Sequence, residues 1–149
     1  MQNRKLMQPD IRIATTADAP DLTAIRAQCF NKSWDEKTFS DILNNPNIIC
    51  LIAPNIAYAL VQKISPESEL ITIAVAPAHR RRGIAENLLQ NLWQNLLKHG
   101  IDTIHLEVSE KLIPAQNLYK KLGFQPIGRR TNYYGVGQDA ILMRLERPL

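Results

Sequence analysis

The sequence predicts a mixed α/β fold, with a central sheet of about seven strands and about four helices packed on both faces. Three observations lead to this. Apolar runs follow one another between residues 48 and 75, separated only by short turn segments. One long amphipathic helix then stands between two strands, the pattern of a strand–helix–strand crossover. Two more strand candidates, joined by a glycine-containing turn, close the chain.

The elements can be justified in order. Ile11 to Ala14 is a short apolar strand candidate. Thr16 is expected to cap a helix running to about Phe30, with Asp18 and Asp21 in the first turn, where carboxylates suit the positive helix end. Trp34 to Asn44 reads as a second, shorter helix. Ile48 to Ala53 and Ile56 to Ile64 are separated only by Pro54-Asn55, which points to an antiparallel hairpin. Glu69 to Val75 follows the turn at Ser65-Pro66, with Ile71, Ile73 and Val75 on one face and Leu70, Thr72 and Ala74 on the other. The clearest helix is Gly83 to His99, where Ala85, Leu88, Leu89, Leu92, Trp93, Leu96 and Leu97 recur at three and four as one apolar stripe. Gly100 stops it, with Lys98 and His99 in the last turn. Thr103 to Val108 is a strand, Pro114 to Leu122 a helix ended by Gly123, and Phe124 to Tyr134 and Gln138 to Glu146 are strands.

The 149 residues fit a single domain, with residues 1–10 read as a loose tail. Apolar residues make up 45% and charged residues 21%, which suits a globular protein with a real core. No apolar run approaches the roughly 18 residues a membrane span needs, and the first ten residues lack the apolar stretch of a secretory signal. Cys29 and Cys50 lie in apolar surroundings without a spaced framework, so free buried thiols and a cytoplasmic setting are expected. His79, His99 and His105 show no metal-ligand spacing, and no metal is expected. A net charge of +4 favours anionic partners but does not choose among nucleic acid, a phosphate-bearing cofactor and an acidic protein.

The segment from Ile73 through Arg80-Arg81-Arg82-Gly83 to Ala85 joins a strand directly to the best helix. A helix N-terminus offers unpaired N–H groups and partial positive charge, so it binds phosphate oxygens. Gly83 lets the backbone approach, Ala85 keeps the next turn small, and the arginines add forked donors. A solvated turn or a nucleic-acid patch remains an alternative for the arginine triplet.

Arg80-x-x-Gly83-x-Ala85 resembles the Q/R-x-x-G-x-G/A pattern of GNAT acetyltransferases. Four further stretches extend the resemblance to the RimI-like ribosomal-protein alanine acetyltransferases. These are Trp34 to Phe39; Glu69-Leu70 ahead of Ile73-Ala74-Val75; Leu106-Glu107-Val108 with Leu118-Tyr119 and Gly123-Phe124; and Gly128 to Tyr134 with Asp139-Ala140 and Met143. The resemblance implies the GNAT fold, with a mixed, mostly antiparallel sheet, and transfer of acetyl from acetyl-CoA to an amine. It implies that Arg80, Arg81, Arg82, Gly83, Ile84, Ala85 and Glu86 hold the CoA pyrophosphate, and that Ile73, Ala74 and Val75 pair their backbone with the pantetheine arm. The family acceptor is the N-terminal alanine of a ribosomal protein, so the expected partners are acetyl-CoA and such a protein, with no direct nucleic-acid or membrane binding. Two departures stand out: Leu112 occupies the position of a family asparagine that contacts CoA, and Gly135 to Gln138 is short for the family.

Glu107 alternates with Leu106 and Val108, so it points away from their face, near the C-terminal end of its strand. An ordinary salt-bridged strand glutamate would fit the same spacing. The resemblance implies a general base at Glu107 and a proton donor to the CoA thiolate at Tyr119, where a packed aromatic is the alternative. Trp34 and one of Tyr133 and Tyr134 are expected to flank the acceptor's first residues; all three in the core is the competing arrangement. An α-amine of pKa about 7.7–8.0 is roughly one-third neutral at pH 7.5, a lysine of pKa about 10.4 only about 0.1%, so a lone base suits a protein N-terminus. The rival functions are a small-molecule N-acetyltransferase, a non-catalytic acetyl-CoA-binding module, and a nucleic-acid-binding domain using Arg80–Arg82 and Arg129-Arg130.

Overall fold

The computed structural model describes residues 8–146, so most of the expected N-terminal tail lies outside the described residues. Seven strands hydrogen-bond in the order β1-β2-β3-β4-β5-β7-β6: β1 Arg12–Ile13, β2 Ile48–Ala53, β3 Ala57–Ile64, β4 Glu67–Val75, β5 Thr103–Ser109, β6 Gln125–Gly135 and β7 Gln138–Glu146. Four α-helices accompany them: α1 Ala19–Cys29, α2 Glu36–Leu43, α3 Ile84–Lys98 and α4 Ile113–Lys121. The sheet is mixed and mostly antiparallel, the parallel pair being β4 with β5. The chain divides into two compact units: one holds the chain up to Gln62 with Ile71–Asn95, the other Lys63–Leu70 with Leu96 onward.

In the first unit, Asp18 decides how α1 begins. Thr16 was the expected cap, but the turn closes on its neighbour. The Thr15 N–H donates to the Asp18 carboxylate at 2.8 Å, and the Asp18 N–H donates back to the Thr15 carbonyl at 2.9 Å. Arg12 grips both carboxylate oxygens at 2.8 and 2.7 Å and, with the Thr15 N–H, holds the Asp18 pKa down to about 2. Thr15 thus caps a 3-10 turn over Thr16–Asp18, and Asp18 stands at the N-cap of α1. The β2–β3 link is also one residue longer than expected, since Ala53 pairs with Ala57 and the Ile56 N–H closes on the Ala53 carbonyl at 2.9 Å.

Leu22 and Ile25 of α1, Phe39 of α2, Ile52 of β2 and Tyr58 of β3 are fully buried together. Each such side chain removed from water stabilises by about 1.5–3 kcal/mol. The Phe39 and Tyr58 rings meet edge-on at 5.7 Å. Arg26 of α1 lies among them, 8% exposed. Its Nη1 donates to the Tyr58 hydroxyl at 3.0 Å and to Thr72 Oγ1 at 3.2 Å, and its Cζ lies 4.3 Å from the Phe30 ring centre and 3.8 Å from that of Trp34. Among the described residues no carboxylate pairs with it.

In the second unit, Ile104, Leu106 and Val108 of β5 are buried, which turns His105 and Glu107 to the opposite face. The parallel ladder joins Glu67–Glu69 to Thr103–His105, whereas β7 accompanies β5 from Thr103 to Ser109. The α3 helix ends as the sequence foretold. Gly100 sits at φ 75°, its N–H reaches the Leu97 carbonyl, and the Ile101 N–H reaches back to the Leu96 carbonyl at 3.0 Å. Glycine takes that left-handed conformation without a Cβ penalty. The β6–β7 ladder is irregular, with shifts between Pro126 and Gly128 and between Arg130 and Gly135.

Candidate active site

The arginine loop belongs to the first unit. Pro77–His79 forms a short turn, Arg81 (φ 64°) and Gly83 (φ 74°) are both left-handed, and α3 starts at Ile84. Turns of this kind gather successive amides into anion-binding concavities, here ahead of a 15-residue helix. A Cβ on Gly83 would meet nothing within 4 Å, so the need for glycine there is conformational, not steric. Arg80, Arg81 and Arg82 are exposed. The Arg80 Nε donates to the Val75 carbonyl at 3.0 Å, and the Cys29 thiol donates to the same oxygen at 3.4 Å. The Val75 carbonyl is therefore engaged within the protein, and Arg80 anchors the loop as well as adding charge. The chemistry of this donor set fits a pyrophosphate: two exposed arginines, a tethered third and a helix entrance.

The carboxylates belong to the second unit. Glu107 lines a cavity of about 250 Å³ together with Glu69, His105, Ile127, Arg130, Leu142 and others. Its side chain is 16% exposed; Oε1 lies 3.2 Å from the Arg130 Nε, and Oε2 is buried. His105 bonds Glu67 on the adjoining strand. Tyr119 of α4 is buried and packs edge-on against Phe124 at 5.7 Å. Burial, with a smaller contribution from Tyr134, pushes its phenol up to about 12, so the proton stays on at neutral pH.

Tyr133 and Tyr134 depart from the simple alternation expected of a strand. Both are about half exposed, at 51% and 46%, and their rings meet at 4.9 Å and 78°. The cause is the register shift after Arg130, where Asn132 adopts φ 57° and breaks the pleat. The core alternative therefore fails for this pair. The charge of Glu107 is the main influence raising the Tyr133 phenol, while burial is the main one raising Tyr134. Trp34, in the other unit, packs partly buried against Phe39 at 5.3 Å and under Arg26.

Several contributors escaped the sequence reading. Arg129 is clamped by Glu110 at 2.6 Å and Asp139 at 2.7 Å, and Asp139 also accepts the Asn132 N–H at 2.8 Å. Arg129 and Arg130 are thus both ion-paired, which removes them from a free basic patch. Leu112 is 55% exposed at the head of α4. The Gln116 amide instead fixes that loop, donating to the Ser109 carbonyl at 3.0 Å and the Glu110 carbonyl at 2.9 Å. Only the paired Arg129-Arg130 and the departure at Leu112 signalled any of this in the sequence. Among the described residues, no cluster of three or more His, Cys, Asp or Glu could hold a metal ion, and no helix is long and apolar enough to cross a membrane.

Fold and side chains point to one class of protein, the N-acetyltransferases that draw on a coenzyme A thioester. The model of the acetyltransferase (GNAT) family matches residues 19–124, and the chain belongs to that family. The [ribosomal protein bS18]-alanine N-acetyltransferase of Escherichia coli K12 is 34% identical over 136 residues, covering 87% of this chain and 92% of that protein. The N-alpha-acetyltransferase RimI of Mycobacterium tuberculosis is 33% identical over 141 residues, covering 87% of each. The crystal structure of the ribosomal-protein-S18-alanine N-acetyltransferase from Escherichia coli superposes with a TM-score of 0.85 and 31% identity, covering 95% of this chain and 96% of that one. An acetyltransferase-fold protein from Salmonella typhimurium, solved with its cofactor acetyl-CoA, shares the fold at a TM-score of 0.83 and 17% identity, covering 95% of each chain.

Proposed function

We propose that this enzyme transfers acetyl from acetyl-CoA to the N-terminal α-amino group of a ribosomal protein, an alanine, by direct attack. The observation that supports the reading most is the Glu107 carboxylate, set on the lining of a cavity and met there by Arg130 and by the Tyr133 hydroxyl. The relatives at 34% and 33% identity are named for N-terminal acetylation, which supports the acceptor class.

In this reading Arg80, Arg81 and Arg82 with the amides of Gly83 to Glu86 hold the pyrophosphate of acetyl-CoA, and the backbone of Ile73 to Val75 meets its pantetheine arm. The neutral amine nitrogen attacks the thioester carbon. As the C–N bond forms, the Glu107 carboxylate takes a proton from nitrogen. As the C–S bond breaks, the Tyr119 hydroxyl gives its proton to sulfur. The products are an N-acetyl amide and CoA thiol, and the proton on Glu107 returns to Tyr119 through solvent, so the enzyme is restored. One of the exposed Tyr133 and Tyr134 flanks the acceptor's first residues.

The test is acetyl transfer followed by mass spectrometry, on a peptide with a free N-terminal alanine, the same peptide blocked at its N-terminus with an internal lysine, and spermidine. A single acetyl gain on the free N-terminus alone, abolished in Glu107→Gln, is the expected result. Transfer to lysine or spermidine instead would overturn the acceptor assignment.

A further inference from the structure

We infer that Arg130 is a positioning residue for the catalytic carboxylate: it ties down one oxygen of Glu107 and so fixes the orientation in which the carboxylate meets the amine. The inference rests on Glu107 being the general base.

The strand register brings the two together. Glu107 of β5 pairs with Leu142 of β7, and Arg130 of β6 pairs with Ala140 of β7, so Arg130 reaches across one intervening strand. Its Nε lies 3.2 Å from Glu107 Oε1, its Cζ lies 5.4 Å from the centre of the Tyr133 ring, and its side chain lines the same cavity as Glu107. The guanidinium is thus held between a carboxylate and an aromatic face. The backbone beneath it is secured by its neighbour, since Arg129 is clamped to Glu110 and Asp139. Adjacent arginines on one strand serve opposite faces: one fastens the β6–β7 hairpin, the other holds the base.

Stability does not explain the Arg130 pair. The Arg130 side chain is 56% exposed, and ion pairs open to solvent contribute little to folding. What the pair does fix is geometry. A carboxylate rotates about its last carbon–carbon bond and presents either oxygen. With Oε1 held, the carboxylate keeps one orientation, with Oε2 turned inward and buried. The other groups near Glu107 supply no second cation: Glu69 is another carboxylate, His105 is engaged by Glu67, and the Tyr133 hydroxyl donates to Glu107 without adding positive charge.

Arg130→Ala should lower kcat on the alanine peptide by about tenfold or more, since misplaced catalytic groups cost up to about 10²-fold, with KM for acetyl-CoA and the melting temperature unchanged. Arg130→Lys should keep part of the rate, and millimolar guanidinium should restore turnover to Arg130→Ala. In a Glu107→Gln background, Arg130→Ala should cause no further loss. Wild-type kcat in Arg130→Ala would overturn the proposal. So would an equal loss in both backgrounds with no guanidinium rescue, which would mark a structural role. Full turnover by Glu107→Gln would remove the base assignment itself, and this inference with it.

Discussion

Arg26 and Arg130 present the same chemical group to two regions of the molecule, and the regions use it differently. Arg26, in the first unit, is almost wholly buried, faces two aromatic rings and two hydroxyls, and pairs with no carboxylate among the described residues. Arg130, in the second, is half in solvent and meets the Glu107 carboxylate. A buried guanidinium has many short-range contacts to lose and so acts as a fixed part of a core. A half-exposed one adds little to folding but can direct its partner. For this pair of arginines, then, the degree of burial goes with a part in the core for one and with the proposed guidance of a carboxylate for the other.

Substitutions can sharpen or break that division. The largest effect is expected from Glu107→Gln, which should reduce kcat by about 10²–10⁴-fold, the usual worth of a general base, with no change in melting temperature. Steady-state kinetics beside a thermal melt checks it; a large stability loss would break the division. Arg26→Met should show the opposite pattern, losing about 2 kcal/mol in urea unfolding through its two lost hydrogen bonds and its contacts with the Phe30 and Trp34 rings, although the Tyr58 and Thr72 hydroxyls still bond each other. Asp18→Asn comes next, at about 1–2 kcal/mol at pH 7, because the native carboxyl titrates near 2 and the unfolded one near 3.8. The sign follows from a depressed native pKa: the stabilisation is present above the unfolded value and fades as pH falls from about 5 through 2, so mutant and parent should draw together across that range and converge only below pH 2. The smallest is Gly83→Ala, which adds roughly 1 kcal/mol of left-handed strain and should raise KM for acetyl-CoA several-fold without changing the acceptor. An unaltered KM there would separate the loop from the cosubstrate.

Most of the elements were legible because their signals are local. The leucine stripe of α3, the stop at Gly100 and the strand runs at 48–53 and 57–64 depend only on neighbours in sequence. The outward direction of Glu107 was legible for the same reason, since alternation with Leu106 and Val108 fixes it. What the sequence hid depends on partners far along the chain. Thr15 caps a 3-10 turn over Thr16–Asp18 and Asp18 stands at the N-cap of α1, an arrangement in which Asp18 is also gripped by Arg12 of β1. Arg130 reaches Glu107 only through the β5–β7–β6 register. The tyrosine pair misled because alternation fails at a bulge, and nothing local at Arg130-Thr131-Asn132 announces one.

The division into two compact units also bears on how the protein is made. Neither unit is a continuous stretch: the chain passes between them at 62–63, 70–71 and 95–96, and the three crossings fall inside β3, β4 and α3. During synthesis the first unit has all its residues once Asn95 has been added. The segment at 63–70 must wait longer, because Glu67–Glu69 find their parallel partners only when Thr103–His105 follow. The first half of β4 therefore remains an open edge on the nascent chain until the helix after it is complete. Because each unit is discontinuous, no single cut in the gene separates one from the other.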